Sequence, residues 1–185
     1  MVLTGDTNDP RKKLGDFFSW EYENEEGISM AGLSAEIINP FLSAATQMLK
    51  DVAQISTSIG KPTVRKAEFN KDTIVIMIGI TGEMKGQVMM SFPNDVACLV
   101  AGNMCMMPTT ELNELHMSAI CELGNMIMGN AATIFSTKGV GIDITPPAVC
   151  VGNMAIASSA SQNICVPLNM EDQRVISVDI SVKED

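Results

Sequence analysis

Residues 72–93 read DTIVIMIGITGEMKGQVMMSFP, and the fold class turns on how they are read. Ile74 to Ile80 form an unbroken apolar run rich in β-branched side chains, which suits an extended strand. Thr81-Gly82-Glu83 then break the run with a glycine-bearing turn, and a second arm ends in VMMSFP. Two strands joined so tightly pair antiparallel. The first arm does not alternate polar with apolar residues, so both of its faces are expected to be covered, or nearly so.

Working outward, Pro93-Asn94-Asp95 opens a short helix through Val96, Leu99 and Val100 that ends near Met104. A long helix is expected from roughly Glu111 to Thr137. Thr109 or Thr110 would be its N-cap, Glu111 and Glu114 lie in its first turn, and Lys138-Gly139 closes it. Upstream, residues 31–55 repeat apolar side chains at a helical period, at Ile37/Ile38, Phe41/Leu42, Ala45, Met48/Leu49 and Val52. PTVRKAEF (62–69) reads as one strand. Beyond Gly139, the runs around Pro146-Pro147, NICVPLNM (163–170) and QRVISVDISV (173–182) read as three or four more. This order gives an α+β single domain, a mostly antiparallel sheet with helices packed on it. The domain is expected over 30–185. Residues 1–29 hold the only Trp and Tyr and many charges, and read as a charged N-terminal extension, partly disordered or packed locally through Phe17, Phe18 and Trp20.

The composition narrows the function. Hydrophobic residues make up 46% of the chain and aromatics 4%, so the core is aliphatic, with fifteen methionines filling its irregular gaps. Lys and Arg number 12 against 22 acids, for a net charge of -10. That balance argues against nucleic acid and against an anionic membrane surface as partners. The longest apolar run is too short to span a bilayer, and the N-terminus lacks a signal-peptide pattern, so a cytoplasmic location is expected. Five cysteines without a C-x-x-C spacing read as reduced thiols. His116 is the sole histidine and reads as a surface residue; no metal ligand set is expected.

The long helix carries SAICELGNMIMGN at 118–130. Ser118, Glu122, Asn125, Gly129 and Ala132 fall on one stripe, with Ile120, Leu123, Ile127 and Ile134 opposite. An exposed Glu and Asn most often do nothing but stay wet. Two features argue otherwise. The face narrows to small residues that leave it approachable, and Asn125 and Gly129 are poor helix formers, Gly costing ~1 kcal/mol relative to Ala. Close packing of another helix onto Gly129 is the structural alternative. A carboxamide donates and accepts hydrogen bonds together, so Asn125 could hold a water in line with a group already reactive. Glu122, one turn away, could pair with a cation on a bound partner.

SAICELGNMIMGNAA with GVGIDITPPAVCVG, EIINPFLSAATQML and GITGEMKGQVMMSFP closely resembles the CheX branch of the CheC/CheX/FliY family of chemotaxis phosphatases, over residues 33–183 or so. The resemblance implies a CheC-like fold and removal of the phosphoryl group from the aspartyl phosphate of a CheY-like response regulator. Asn125 would orient the attacking water and Glu122 would dock to the regulator's lysine. Ser118, Gly129 and Ala132 would form the partner-binding surface; Ser118 could equally bond its own helix backbone. The Mg²⁺ would belong to the regulator, leaving no cofactor on this chain. A homodimer is also implied, and QRVISVDISV as an open sheet edge would favour pairing. The alternative is a non-catalytic module that binds a response regulator or a flagellar-motor component through the same face. Glu36 and Asn39 repeat the Glu-x-x-Asn spacing and form a possible second site. Pro40 bears on that: at N1 it would make Asn39 the cap and split the pair, whereas inside the helix it would kink it. Pro146 and Pro147 are expected to end a strand.

Overall fold

A computed structural model describes residues 34–157 and 162–184. The N-terminal extension, with Phe17, Phe18 and Trp20, lies outside the described residues, as do residues 158–161. Three helices occur among the described residues: α1 (Ala35–Ala53), α2 (Asn94–Cys105) and α3 (Glu114–Thr137). The strands are β1 (Thr57–Ile59), β2 (Thr63–Val64), β3 (Ala67–Phe69), β4 (Thr73–Gly82), β5 (Met84–Pro93), β6 (Ile142–Ile144), β7 (Ala148–Val151), β8 (Met154–Ile156), β9 (Ile164–Met170) and β10 (Val175–Glu184).

The quoted stretch is the hairpin β4–β5, registered from Thr73↔Pro93 to Ile80↔Gly86. Gly82 sits at its turn with φ +102°, a conformation that side-chain-bearing residues rarely adopt. The hairpin lies within an eight-stranded sheet of order β1-β9-β10-β5-β4-β6, with β2 pairing β9 and β7 pairing β4, every pair antiparallel. Both faces of β4 are covered, as its apolar run requires. Ile74, Ile76, Ile78 and Ile80 join the main core with the three helices. Val75 turns the other way into a smaller cluster with Met89, Ala67 and Phe69, beneath a two-stranded sheet of β3 and β8. The α+β class with a mostly antiparallel sheet is what the element order implied.

Four expectations change. PTVRKAEF is two strands in different sheets, β2 pairing β9 and β3 pairing β8, with Arg65 and Lys66 between them. Five strands follow α3 instead of three or four. QRVISVDISV is not an edge: β10 pairs β5 on one side and β9 on the other, so it offers no free ladder to a second copy. Finally, α3 begins at Glu114, three residues later than expected, for a reason given below.

β6 and β7 lie end to end along β4. Ile80 pairs with Ile144, and Met77 with Ala148, so Ile78 and Gly79 face Thr145, Pro146 and Pro147. One extra residue on that edge makes a β-bulge, which prolines favour because they have no N–H for the ladder. The bulge also inverts the faces. Ile142 and Ile144 before it and Val149 after it pack on the main core, while Cys150 packs on the outer cluster.

Candidate active site

α3 is built to hold a rigid polar face. Its N-cap is Asn113, whose side chain accepts a hydrogen bond from the His116 N–H at 3.1 Å. The His116 Nδ1 accepts in return from the Asn113 N–H at 3.4 Å, completing a capping box with a histidine at N3. This is why the helix starts at Glu114 and not after Thr109; Thr109 is occupied in a local turn, its hydroxyl bonding the Glu111 backbone. His116 is buried, 3% exposed, so the expected surface histidine is an internal cap. At the other end Lys138 is the C-cap and Gly139 takes φ +81°, as the sequence implied.

The inner face of α3 buries Ile120, Leu123, Ile127 and Met128, and Phe135 meets Phe41 of α1 with ring centroids 5.1 Å apart. Gly124 is the close-packing residue: a Cβ there would lie 2.9 Å from Ile76 Cγ2. Gly129 is the reverse case, with nothing within 4 Å of where its Cβ would be. No neighbouring helix therefore accounts for Gly129 within the described chain.

Ser118, Glu122 and Asn125 are exposed on the outer face, with Gly129 and Ala132 half-buried along the same stripe. The first three line one side of an open groove of ≈ 570 Å³, together with Met117 and Cys121. Ile144, Thr145, Pro146 and Pro147 line the opposite side. The groove thus lies between the helix and the bulge of the edge strand. Burial pushes the Cys121 thiol up, which keeps it neutral and apolar in character. The proline pair does follow the end of β6, as expected; what sequence reasoning did not foresee is that the chain rejoins β4 as β7 after a bulge. The available signal was the pair itself, since two residues without N–H groups inside a β-rich run require the strand to leave its ladder.

Glu36 and Asn39 are not part of this groove. α1 begins at Ala35 with Ser34 as N-cap, so Pro40 lies buried inside the helix and Asn39 is no cap. The pair does share a helical face, Glu36 exposed and Asn39 half-buried. Phe41 meets Phe135, while the Asn130 side chain donates to Met48 Sδ at 3.3 Å, so α1 and α3 run antiparallel. Asn39 sits near the level of Phe135, about 15 Å along α3 from Asn125. Among the described residues no cluster of three His, Cys, Asp or Glu side chains could hold a metal, and no helix is long and apolar enough to cross a membrane.

The antiparallel sheet with α3 laid across one face is the architecture of a CheC-like superfamily protein from Shewanella sp. PV-4, which superposes with a TM-score of 0.73 at 27% identity over 82% of this chain and 99% of that one. Residues 74–169 match the family described as "Chemotaxis phosphatase CheX". The CheY-P phosphatase CheX of Thermotoga maritima is 33% identical over 82% of this chain and 98% of its own length. A Borrelia burgdorferi CheX, solved as a CheX–CheY–BeF3–Mg²⁺ complex, has a TM-score of 0.67 at 31% identity, covering 80% of this chain and 98% of that one. The chain belongs to the CheX family of chemotaxis phosphatases.

Proposed function

We propose that this chain hydrolyses the aspartyl phosphate of a CheY-like response regulator, with Asn125 orienting the water and Glu122 pairing with the regulator's lysine. The observation that carries the reading is an exposed Glu and Asn, one turn apart, on a helix whose inner face is locked into the core and whose outer face opens onto a groove. The Thermotoga relative's description as a CheY-P phosphatase and the Borrelia CheX–CheY complex support the choice of substrate.

The chemistry asks little of this chain. An aspartyl phosphate is an acyl phosphate, so catalysis can rest on positioning and charge stabilisation. The water oxygen bonds to phosphorus as the bond to the aspartyl oxygen breaks, yielding a free carboxylate and dihydrogen phosphate that retains the two water protons. Asn125 accepts one hydrogen bond from that water and donates another to the phosphoryl group. Mg²⁺ would be held by the regulator and would offset the charge on the transferring oxygens. Ser118, Gly129 and Ala132 form the surface the regulator covers, and Gly129 leaves it room to approach. The location follows the partner, in the cytoplasm. The homodimer rests on family resemblance alone, since β10 is not an edge; light scattering that returns the mass of one chain would remove it.

In an assay following phosphate loss from the phosphorylated regulator, Asn125→Ala should abolish nearly all acceleration with an unchanged fold. Glu122→Ala should weaken binding roughly tenfold or more, the cost of one charge-assisted contact. Full activity in Asn125→Ala would refute the water-orienting role. Binding that depends on Glu122, without any dephosphorylation by the wild-type chain, would establish the non-catalytic module instead. Asn39→Ala should leave the rate unchanged; a halved rate would give Glu36 and Asn39 a site of their own.

A further inference from the structure

We propose that Thr145 is a positioning residue. By gripping Gly79 of β4 it fixes the Pro146–Pro147 bulge as the wall against which the regulator seats beside Asn125. The inference rests on the functional reading above and adds a determinant of substrate seating that lies on the strand side of the groove.

The argument starts from the hydrogen bonds the bulge can make. Of its three residues, Pro146 and Pro147 have no N–H, so Thr145 is the one that can donate to β4. Its N–H donates to the Gly79 carbonyl at 3.0 Å, and its hydroxyl accepts from the Gly79 N–H at 2.9 Å. A side-chain oxygen here substitutes for the backbone carbonyl that a regular ladder would present. The fit favours glycine: a Cβ on residue 79 would lie 3.0 Å from Thr145 Cγ2 and 3.1 Å from its Oγ1, and would push the threonine side chain outward. Thr145 therefore lies flat on Gly79, tied by both of that residue's backbone groups.

The same edge strand is pinned at its two ends. Glu83 at the hairpin turn accepts from the Gly141 N–H at 2.7 Å and donates its own N–H to the Gly141 carbonyl at 3.0 Å. At the far end the Asn153 side chain accepts from the Lys71 N–H at 2.9 Å. The middle of this edge, where the prolines line the groove, is held by the Thr145 clamp. Prolines suit a docking wall, because their side chains lose almost no rotamer freedom on burial. A wall that shifts changes how the phosphorylated face fits beside α3, and so changes substrate affinity before it changes the chemistry at Asn125.

The test is steady-state kinetics on the phosphorylated regulator with Thr145→Val and Thr145→Ser, each checked for a wild-type thermal midpoint. Valine keeps the shape and removes the acceptor; serine keeps the acceptor. Thr145→Val should raise KM roughly fivefold with kcat within about twofold, and Thr145→Ser should stay near wild type. Amide exchange at Gly79 should speed up in the valine variant only. If Thr145→Val does not fold, Pro146→Ser/Pro147→Ser, which leaves the clamp intact and softens the wall, should give the same KM rise. An unchanged KM in the folded variant, or equal loss in Val and Ser, would overturn the proposal. A wild-type chain without phosphatase activity would instead sink the functional reading, and the two failures are thereby distinct.

Discussion

Two glycines on α3 have opposite surroundings, and that difference decides what each substitution does. At Gly129 a methyl group meets nothing. Gly129→Ala should therefore stabilise the protein by ~0.5–1 kcal/mol through helix propensity, read as a raised urea midpoint. If the stripe docks a regulator, the same variant should lose affinity for it, so stability and activity would move in opposite directions. At Gly124 the methyl would press on Ile76, and Gly124→Ala should destabilise by ~1–3 kcal/mol. The sequence already separated the outer stripe from the inner one, because Glu122 and Asn125 obey the helical period. The role of Gly124 was not legible, since it depends on which sheet residues lie beneath it. His116 could have been placed correctly, because it lies one turn before Ile120 on the inner face.

α3 shows what was and was not readable about elements. Its C-terminus was clear from Lys138-Gly139, but its start was expected at Thr109 or Thr110, and Asn113 is the cap instead because His116 answers it across the turn. Asn113→Ala should cost about 1 kcal/mol of stability, measured by chemical denaturation, with Glu122 and Asn125 still in place. Strands 142–151 posed a harder problem. A period of two read straight through them sends Ile142, Ile144 and Cys150 to one face, whereas the bulge moves Cys150 to the outer cluster. Nothing in the local alternation marks the change of face; the proline pair alone does. Deleting Pro147 should accordingly restore a regular strand with Val149 still on the core face, four positions after Ile144, so the thermal midpoint should hold while the groove loses part of its wall.

For the molecule as a whole, the face of the sheet away from the helices is held by a buried charge. Asp179 is fully buried, and Arg65 reaches it from the β2–β3 bend with bonds of 3.0 and 2.6 Å. Asn163 adds a third bond to Asp179 at 2.8 Å, and Ser181 supports Asn163 at 3.0 Å. Arg65→Met would leave the carboxylate unpaired and should cost roughly 3–5 kcal/mol. In the same cluster burial, reinforced by Asp179, pushes the Cys165 thiol from 9.0 up to about 11. Its folded pKa is raised, so its contribution is whole below the unfolded value and is lost as pH climbs through the folded one. Stability should fall between those values, and Cys165→Ala should flatten that slope in denaturation at alkaline pH. Composition gave no hint of this cluster, which joins residues far apart in the chain. The central placement of β10 was equally hidden, and it bears on how the chain acquires its shape. The hairpin β4–β5 can form early, but the outer edge of β5 waits for a strand that emerges only after α2, α3 and β6 to β9. Such distant pairing makes for slow folding, with a bare apolar edge on view meanwhile. During synthesis, then, this protein has a window in which chaperones have something to hold.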